Sequence, residues 1–211
     1  MKKHIIVFLL YISCVIHASC PVDSISKILE QSIRNHDIET YIRFFPTQRS
    51  TFVALFGFYE NGFSFNNTNM IGQDDAYAPL YECDNCIPFL FDTICRNDSL
   101  WDKYEWYLTP LLTGLAVSIK TWEADHVNFL QDGIIGLLLS RDGIWHYVEK
   151  LYVWEKTDFW HYIFDAPVSS PELYQKIVQR AAETNASPKT VHIITKTYKQ
   201  LRKKQWDYRH G

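Results

Sequence analysis

Tyr81 to Cys95 reads YECDNCIPFLFDTIC and carries three of the chain's five cysteines, two of them as CDNC. A Cys-x-x-Cys pair supports three chemistries: a metal clamp, thiol–disulfide exchange, or a structural staple. A structural zinc site needs four ligands, and no second Cys-x-x-Cys or His-x-x-x-His lies nearby. A redox pair of the thioredoxin kind follows a strand within a strand–helix–strand unit, and no such pattern surrounds Tyr81. In an oxidising compartment Cys83 and Cys86, three apart on a helical turn, can bridge with modest strain. The stretch therefore reads as a staple, with Cys95 as the third disulfide candidate.

The second cluster is WEADHVNFLQD, Trp122 to Asp132. On a helix Glu123 and His126 share a face, while Asp125 lies on another. A metal or acid–base site here would use Glu123, Asp125 and His126, with His146 or His161. The competing reading is a helix start, where acids favour the positive end of the dipole and the histidine is half-buried. The chain has no HExxH, no GxSxG and no glycine-rich phosphate loop. The expectation is a protein without catalytic residues, metal or cofactor, with an uncharacterised hydrolase or metal enzyme as the lesser alternative.

The compartment follows from the first twenty residues, MKKHIIVFLLYISCVIHASC. Lys2 and Lys3 precede an apolar run of about twelve residues, short of the roughly twenty a membrane span needs. Small residues follow, Ala18 and Ser19. This predicts an export signal over residues 1–19 and a mature chain from 20 to 211. Ala18-Ser19-Cys20 is similar to the lipobox of bacterial lipoproteins, although His17 stands where that box has an aliphatic residue. Lipidation of Cys20 is the favoured reading, placing the protein in the periplasm or on the envelope membrane through a lipid anchor. The alternative leaves Cys20 as a thiol, so that four cysteines allow three pairings.

The chain holds 21 basic and 24 acidic residues, net −3. That balance argues against a general nucleic-acid binder, which would carry a basic excess. The basic run Lys196 to Lys204 reads as the solvated end of a helix. Aromatic residues make up 16% of the chain, ample material for a core or an interface.

The elements that must hold these groups are helical. Ser24 to Arg34 carries an apolar stripe at helical spacing, with Ser24 as its cap. Asp37 caps a second helix ending at Phe45, before Pro46. Arg49 to Phe58 is a third, followed by a long loop over Glu60 to Pro79. Leu80 to Cys95 is helical with an interruption at Pro88. Ser99 to Ile119 divides into two helices at Pro110. Trp122 to Leu139, Ile144 to Trp154 and Asp158 to Phe164 follow. Ser170-Pro171-Glu172 and Ser187-Pro188 are helix starts, the last helix running to about Gln205. The sum is an all-α single domain of about nine or ten helices in antiparallel hairpins. Its aromatic core should include Trp122, Phe129, Trp145, Trp154, Trp160 and Phe164.

Four phrases carry a family resemblance: FFPTQRSTFVALFGF (Phe44 to Phe58), APLY (Ala78 to Tyr81), WEADHVNFLQ (Trp122 to Gln131) and FWHYIFDAP (Phe159 to Pro167). In this order the chain resembles a poorly characterised family of helical proteins from Bacteroidetes. The resemblance implies no catalytic residue. It implies an accessory or immunity-type protein acting beside secreted toxins, so the expected partner is another protein. The lesser non-enzymatic expectation is a structural or accessory envelope lipoprotein.

Overall fold

The computed structural model describes residues 21–59, 76–119, 125–165 and 170–210. The expected signal, Cys20, Trp122, Glu123 and most of the expected loop lie outside these ranges. Among the described residues the chain is all-α, with ten α-helices, one π-helical segment and one pair of two-residue strands. Its contacts gather into two compact units: Met1–Tyr107 with Trp122–Leu130, and Leu108–Thr121 with Gln131–Gly211.

In the first unit, α1 (Val22–Asn35) starts three residues earlier than the Ser24 cap predicts. Pro21 precedes the helix, and its carbonyl accepts the Ser24 amide at 2.9 Å. Ser24 thus falls inside the first turn. Ile25, Leu29 and Ser32 form the buried stripe. His36 ends the helix in a left-handed conformation, φ 53°, which lets the Asp37 amide turn back to Ser32 O at 2.8 Å. Asp37 caps α2 (Ile38–Phe44) through the Thr40 amide at 3.1 Å, as its position predicts. The next helix, α3 (Arg49–Phe56), stops at Gly57. A Cβ at Gly57 would fall 2.4 Å from Val53 O, so only glycine fits this exit. The chain then pairs β1 (Phe58–Tyr59) with β2 (Ala76–Tyr77), antiparallel, and Leu80 donates its amide to Leu55 O at 2.8 Å.

A short α4 (Cys86–Pro88) continues as a π-helix over Phe89–Cys95, in which the Arg96 amide reaches Phe91 O five residues back. Pro88 is therefore a join between two helical windings. α1 packs against α2, α3 and α4. Tyr41, fully buried, donates its hydroxyl to Cys86 O and meets the Phe89 ring edge-on at 4.9 Å.

Two helices each contribute a segment to both units. α5 (Asp98–Ser118) passes through Pro110 as one helix, correcting the expected division. A proline inside a helix costs a hydrogen bond and steric room. Here the buried stripe continues through it, with Tyr107 and Leu108 before Pro110 and Leu111 and Leu112 after it, and Thr113 bonds back to Thr109 O at 2.7 Å. α6 (Asp125–Ser140) buries Val127, Leu130, Ile134 and Leu138. Phe129 lies on the other side of that stripe and is 42% exposed, against the expectation that it is core.

The second unit is completed by α7 (Asp142–Val148), α8 (Val153–Phe164), α9 (Pro171–Glu183) and α10 (Pro188–His210). α8 and α9 pack on α10. Trp145, Trp160 and Phe164 are buried as expected, the two indoles 5.5 Å apart, and Trp145 donates to Leu138 O at 2.7 Å. Trp154 is not core: it is 60% exposed. The expected Ile144–Trp154 helix breaks after Val148, so Trp154 joins the first turn of α8 instead. There it stands about 120° around the helix from Trp160.

A polar cluster fastens the turn between α7 and α8. Lys156, only 6% exposed, donates to Glu149 O at 2.9 Å and to Glu149 Oε2 at 3.2 Å. Glu149 in turn accepts the Ser187 amide at 2.9 Å and the Ser187 hydroxyl at 3.0 Å, and Ser187 Oγ accepts the Thr190 amide at the start of α10.

Candidate protein-interaction site

Cys83 and Cys86 are joined in a disulfide, with Cα atoms 5.5 Å apart. Cys95, within the π-helical segment, is buried and takes no part in the bridge. Reactivity of such a pair would require a thiol whose ionisation is favoured by nearby positive charge. Here Cys86 is fully buried, and exposed acids, Glu82 and Asp84, flank Cys83. Both cysteine carbonyls meet side chains from distant helices: Tyr41 donates to Cys86 O, and His126 Nε2 lies 3.4 Å from Cys83 O. The bridge therefore sits at a junction of α2, α4 and α6.

His126 is 2% exposed. Its ring lies 5.1 Å from Phe56, 6.1 Å from Tyr81 and 6.0 Å from Phe129. It is thus a core histidine within an aromatic cluster. Asp125 is the first residue of α6, as a helix start would have it, and Glu123 falls outside the described residues. The two histidines that would complete a metal set belong to the second unit. His146 is exposed with Nδ1 3.0 Å from Asp142 O, and His161 Nδ1 stands 4.0 Å from Asp165 Oδ2. Among the described residues no group of three or more His, Cys, Asp or Glu side chains could hold a metal ion.

An ordered polar–aromatic surface lies instead on the first unit. Lys103, Tyr104 and Trp106 occupy one turn of α5, and Glu39 comes from the first turn of α2. Lys103 Nζ donates to Glu39 Oε1 at 2.8 Å, and the Tyr104 hydroxyl donates to the same oxygen at 3.2 Å. The Lys103 ammonium also sits over the Tyr104 ring, 4.8 Å from its centroid. The hydrogen bond from Lys103, followed by that from Tyr104, holds the Glu39 carboxyl below its usual range. The same bond holds Lys103 above its usual value. Trp106 is 40% exposed, and its indole N–H donates to Lys103 O at 3.0 Å, which fixes the ring without covering it. An exposed ion pair of this kind contributes little stability. Its effect is to pre-order an exposed indole, a phenol and two opposite charges.

Such a surface suits protein recognition. Tryptophan and tyrosine supply large, stiff contact areas, and binding then forfeits less rotamer freedom. The sequence reading missed it, because Glu39 and Lys103 are 64 residues apart in the chain. The one local signal was the charged trio Asp102, Lys103 and Glu105 interrupting an apolar-aromatic run.

No protein-family model matches the chain, and none of the curated proteins or solved structures compared with it matches.

Proposed function

We propose that this chain is an exported, non-enzymatic binding protein of the bacterial envelope that recognises another protein through Trp106, Tyr104, Lys103 and Glu39. The observation that carries the reading is the pinned but uncovered indole of Trp106, flanked by an ordered ion pair. The signal-like N-terminus and the acidic balance support export and argue against a nucleic-acid partner. The narrower reading is an immunity-type protein that blocks a secreted toxin, and the family resemblance supports it. Cys20 is the proposed lipid anchor; intact mass of the mature protein should show an acyl-glyceryl addition at that residue.

The test is binding to the secreted protein encoded beside this chain's gene, measured by calorimetry. Trp106→Ala should weaken that complex by about 2 kcal/mol or more, roughly thirtyfold, with an unchanged circular dichroism melt. An adjacent gene encoding no secreted toxin removes the immunity reading. A complex indifferent to both Trp106→Ala and Lys103→Glu removes this surface from recognition.

A further inference from the structure

α10 carries Lys196, Lys199, Arg202, Lys203 and Lys204, all exposed. From Pro188 to Trp206 the sequence holds no acid. The buried residues of this helix are Thr190, Ile193, Ile194, Thr197 and Leu201. Lys196, Lys199 and Lys203, spaced three and four apart, share the face turned away from them. Among the described residues none of these three lysines forms an ion pair. The helix macrodipole does not account for them. It favours cations in the last turn, and α10 continues past Lys203 to His210, about two turns further.

α5 carries the opposite row. Asp98, Asp102 and Glu105, spaced four and three apart, share one face of its first half. Asp98 and Asp102 are exposed, and half-exposed Glu105 accepts the Trp101 indole N–H at 3.2 Å. The basic neighbours are Arg96, paired with Asp92, and Lys103, paired with Glu39. Each of those pairs adds no net charge, so the row remains negative. Read in opposite chain directions, the two rows have the same spacing. Antiparallel helices would set Asp98 against Lys203, Asp102 against Lys199 and Glu105 against Lys196, over about 10 Å of each axis.

We propose that a second copy of this chain docks here, α5 of one copy lying antiparallel along α10 of the other. Charge complementarity selects the occupant. The first unit holds fifteen acidic and eight basic residues, the second nine acidic and thirteen basic. Two copies therefore bring opposite fields to the two rows, which steers their encounter. On the α10 side, α8 ends and α9 begins level with Tyr198, whose ring meets Phe164 and Tyr174. The acids of those helix ends, Asp165 and Glu172, are two against five cations. Exposed ion pairs contribute little one by one, so the complex is weak, concentration-dependent and salt-sensitive. Self-docking here does not depend on recognition of another protein through Trp106.

The test is sedimentation of the full chain over a concentration series in low salt, with the N-terminal residues common to every sample. The average mass should rise with concentration, and added salt should reverse the rise. Lys199→Glu with Lys203→Glu, and separately Asp98→Lys with Asp102→Lys, should each weaken association at least about tenfold. An equimolar mixture of these two variants should associate again, because the native acidic row of the first meets the native lysine row of the second, and the reversed rows match likewise. All four substitutions in one chain leave the net charge of the wild type and should restore self-association. These positions are exposed, and an unchanged thermal melt confirms that the fold is retained. Asp102→Asn and Lys199→Gln, which reverse no charge, should each weaken association by a smaller factor. A mass independent of concentration in low salt, reversals without effect, or a mixture that does not associate overturns the proposal, including the case in which the lysine row meets only an anionic bilayer or another acidic protein.

Discussion

Lys156 is a cation with almost no solvent around it, satisfied by one carbonyl and one carboxylate of the same residue, Glu149. Removing one partner of a buried pair leaves the other uncompensated, which costs more than the pair contributes while intact. Lys156→Met should therefore destabilise the protein by about 3 kcal/mol, read as a lower midpoint in urea. Glu149→Gln in that background should recover part of the loss, since the stranded charge is gone. Residues at this scale were legible in the sequence where their partners are local. The CDNC bridge and the Asp37 and Ser170 caps all span three residues, and the structure contains each of them. Lys156–Glu149 and Glu39–Lys103 were not legible, because a contact set by tertiary packing leaves no periodic trace. His126 was read as half-buried and proved to be core, since its aromatic neighbours Phe56 and Tyr81 come from distant positions.

At the scale of elements, the C-terminal end of α8 depends on one side chain. Gln131 is fully buried, and its Nε2 donates to Tyr162 O at 2.5 Å, with Asp165 O at 3.3 Å and Ile163 O at 3.4 Å. It serves as a donor for carbonyls that a helix end leaves without amides. Gln131→Leu should cost about 1–3 kcal/mol through the stranded Tyr162 carbonyl. Gln131→Glu should cost more at neutral pH, because a carboxylate would face three carbonyls. The gap between the two variants should narrow as pH falls and the carboxyl becomes a donor; thermal melts at two pH values check it. The apolar periodicity of α6 and the cap of α9 were visible in the sequence. The places where helices break were not: Pro110 signals a break that continuous packing overrides, whereas the real break after Val148 carries no proline. That second error also misplaced Trp154, because moving the start of α8 rotates the face assigned to each residue.

At the scale of the whole molecule, four carboxyls among the described residues sit below their usual range: Asp37 and Glu39 through hydrogen bonds from Thr40 and Lys103, Glu172 through a backbone bond, and Glu149. Burial opposes ionisation at Glu149, but the Ser187 amide, the Thr190 and Ser187 hydroxyls and Lys156 together outweigh it. Asp132 is shifted upward, by burial. A lowered folded pKa contributes stability above the unfolded value and loses it as pH falls through the folded value. Asp132 contributes with the opposite sign. The melting temperature should therefore decline as pH drops from about 5 to about 3, and Glu39→Gln with Glu149→Gln should flatten that decline. The all-α class was legible from helical spacing throughout. The division of the contacts into two units was not, because α5 and α6 run unbroken across the boundary and offer no linker to read.

The fastened turn before α8 has a consequence for proteolysis. Tyr152 and Trp154 are the side chains a chymotrypsin-like protease selects, and they stand exposed on the surface. Cleavage nevertheless requires the backbone to leave its bonds and extend, and exposed tips are nicked where that is easy. Here Glu155 holds the Tyr152 amide, Lys156 and Ser187 hold Glu149, and the segment cannot open without breaking both. Native protein should therefore survive at this attractive sequence. Lys156→Met should expose it, and mass spectrometry of the digest should find the new termini after Tyr152 and Trp154.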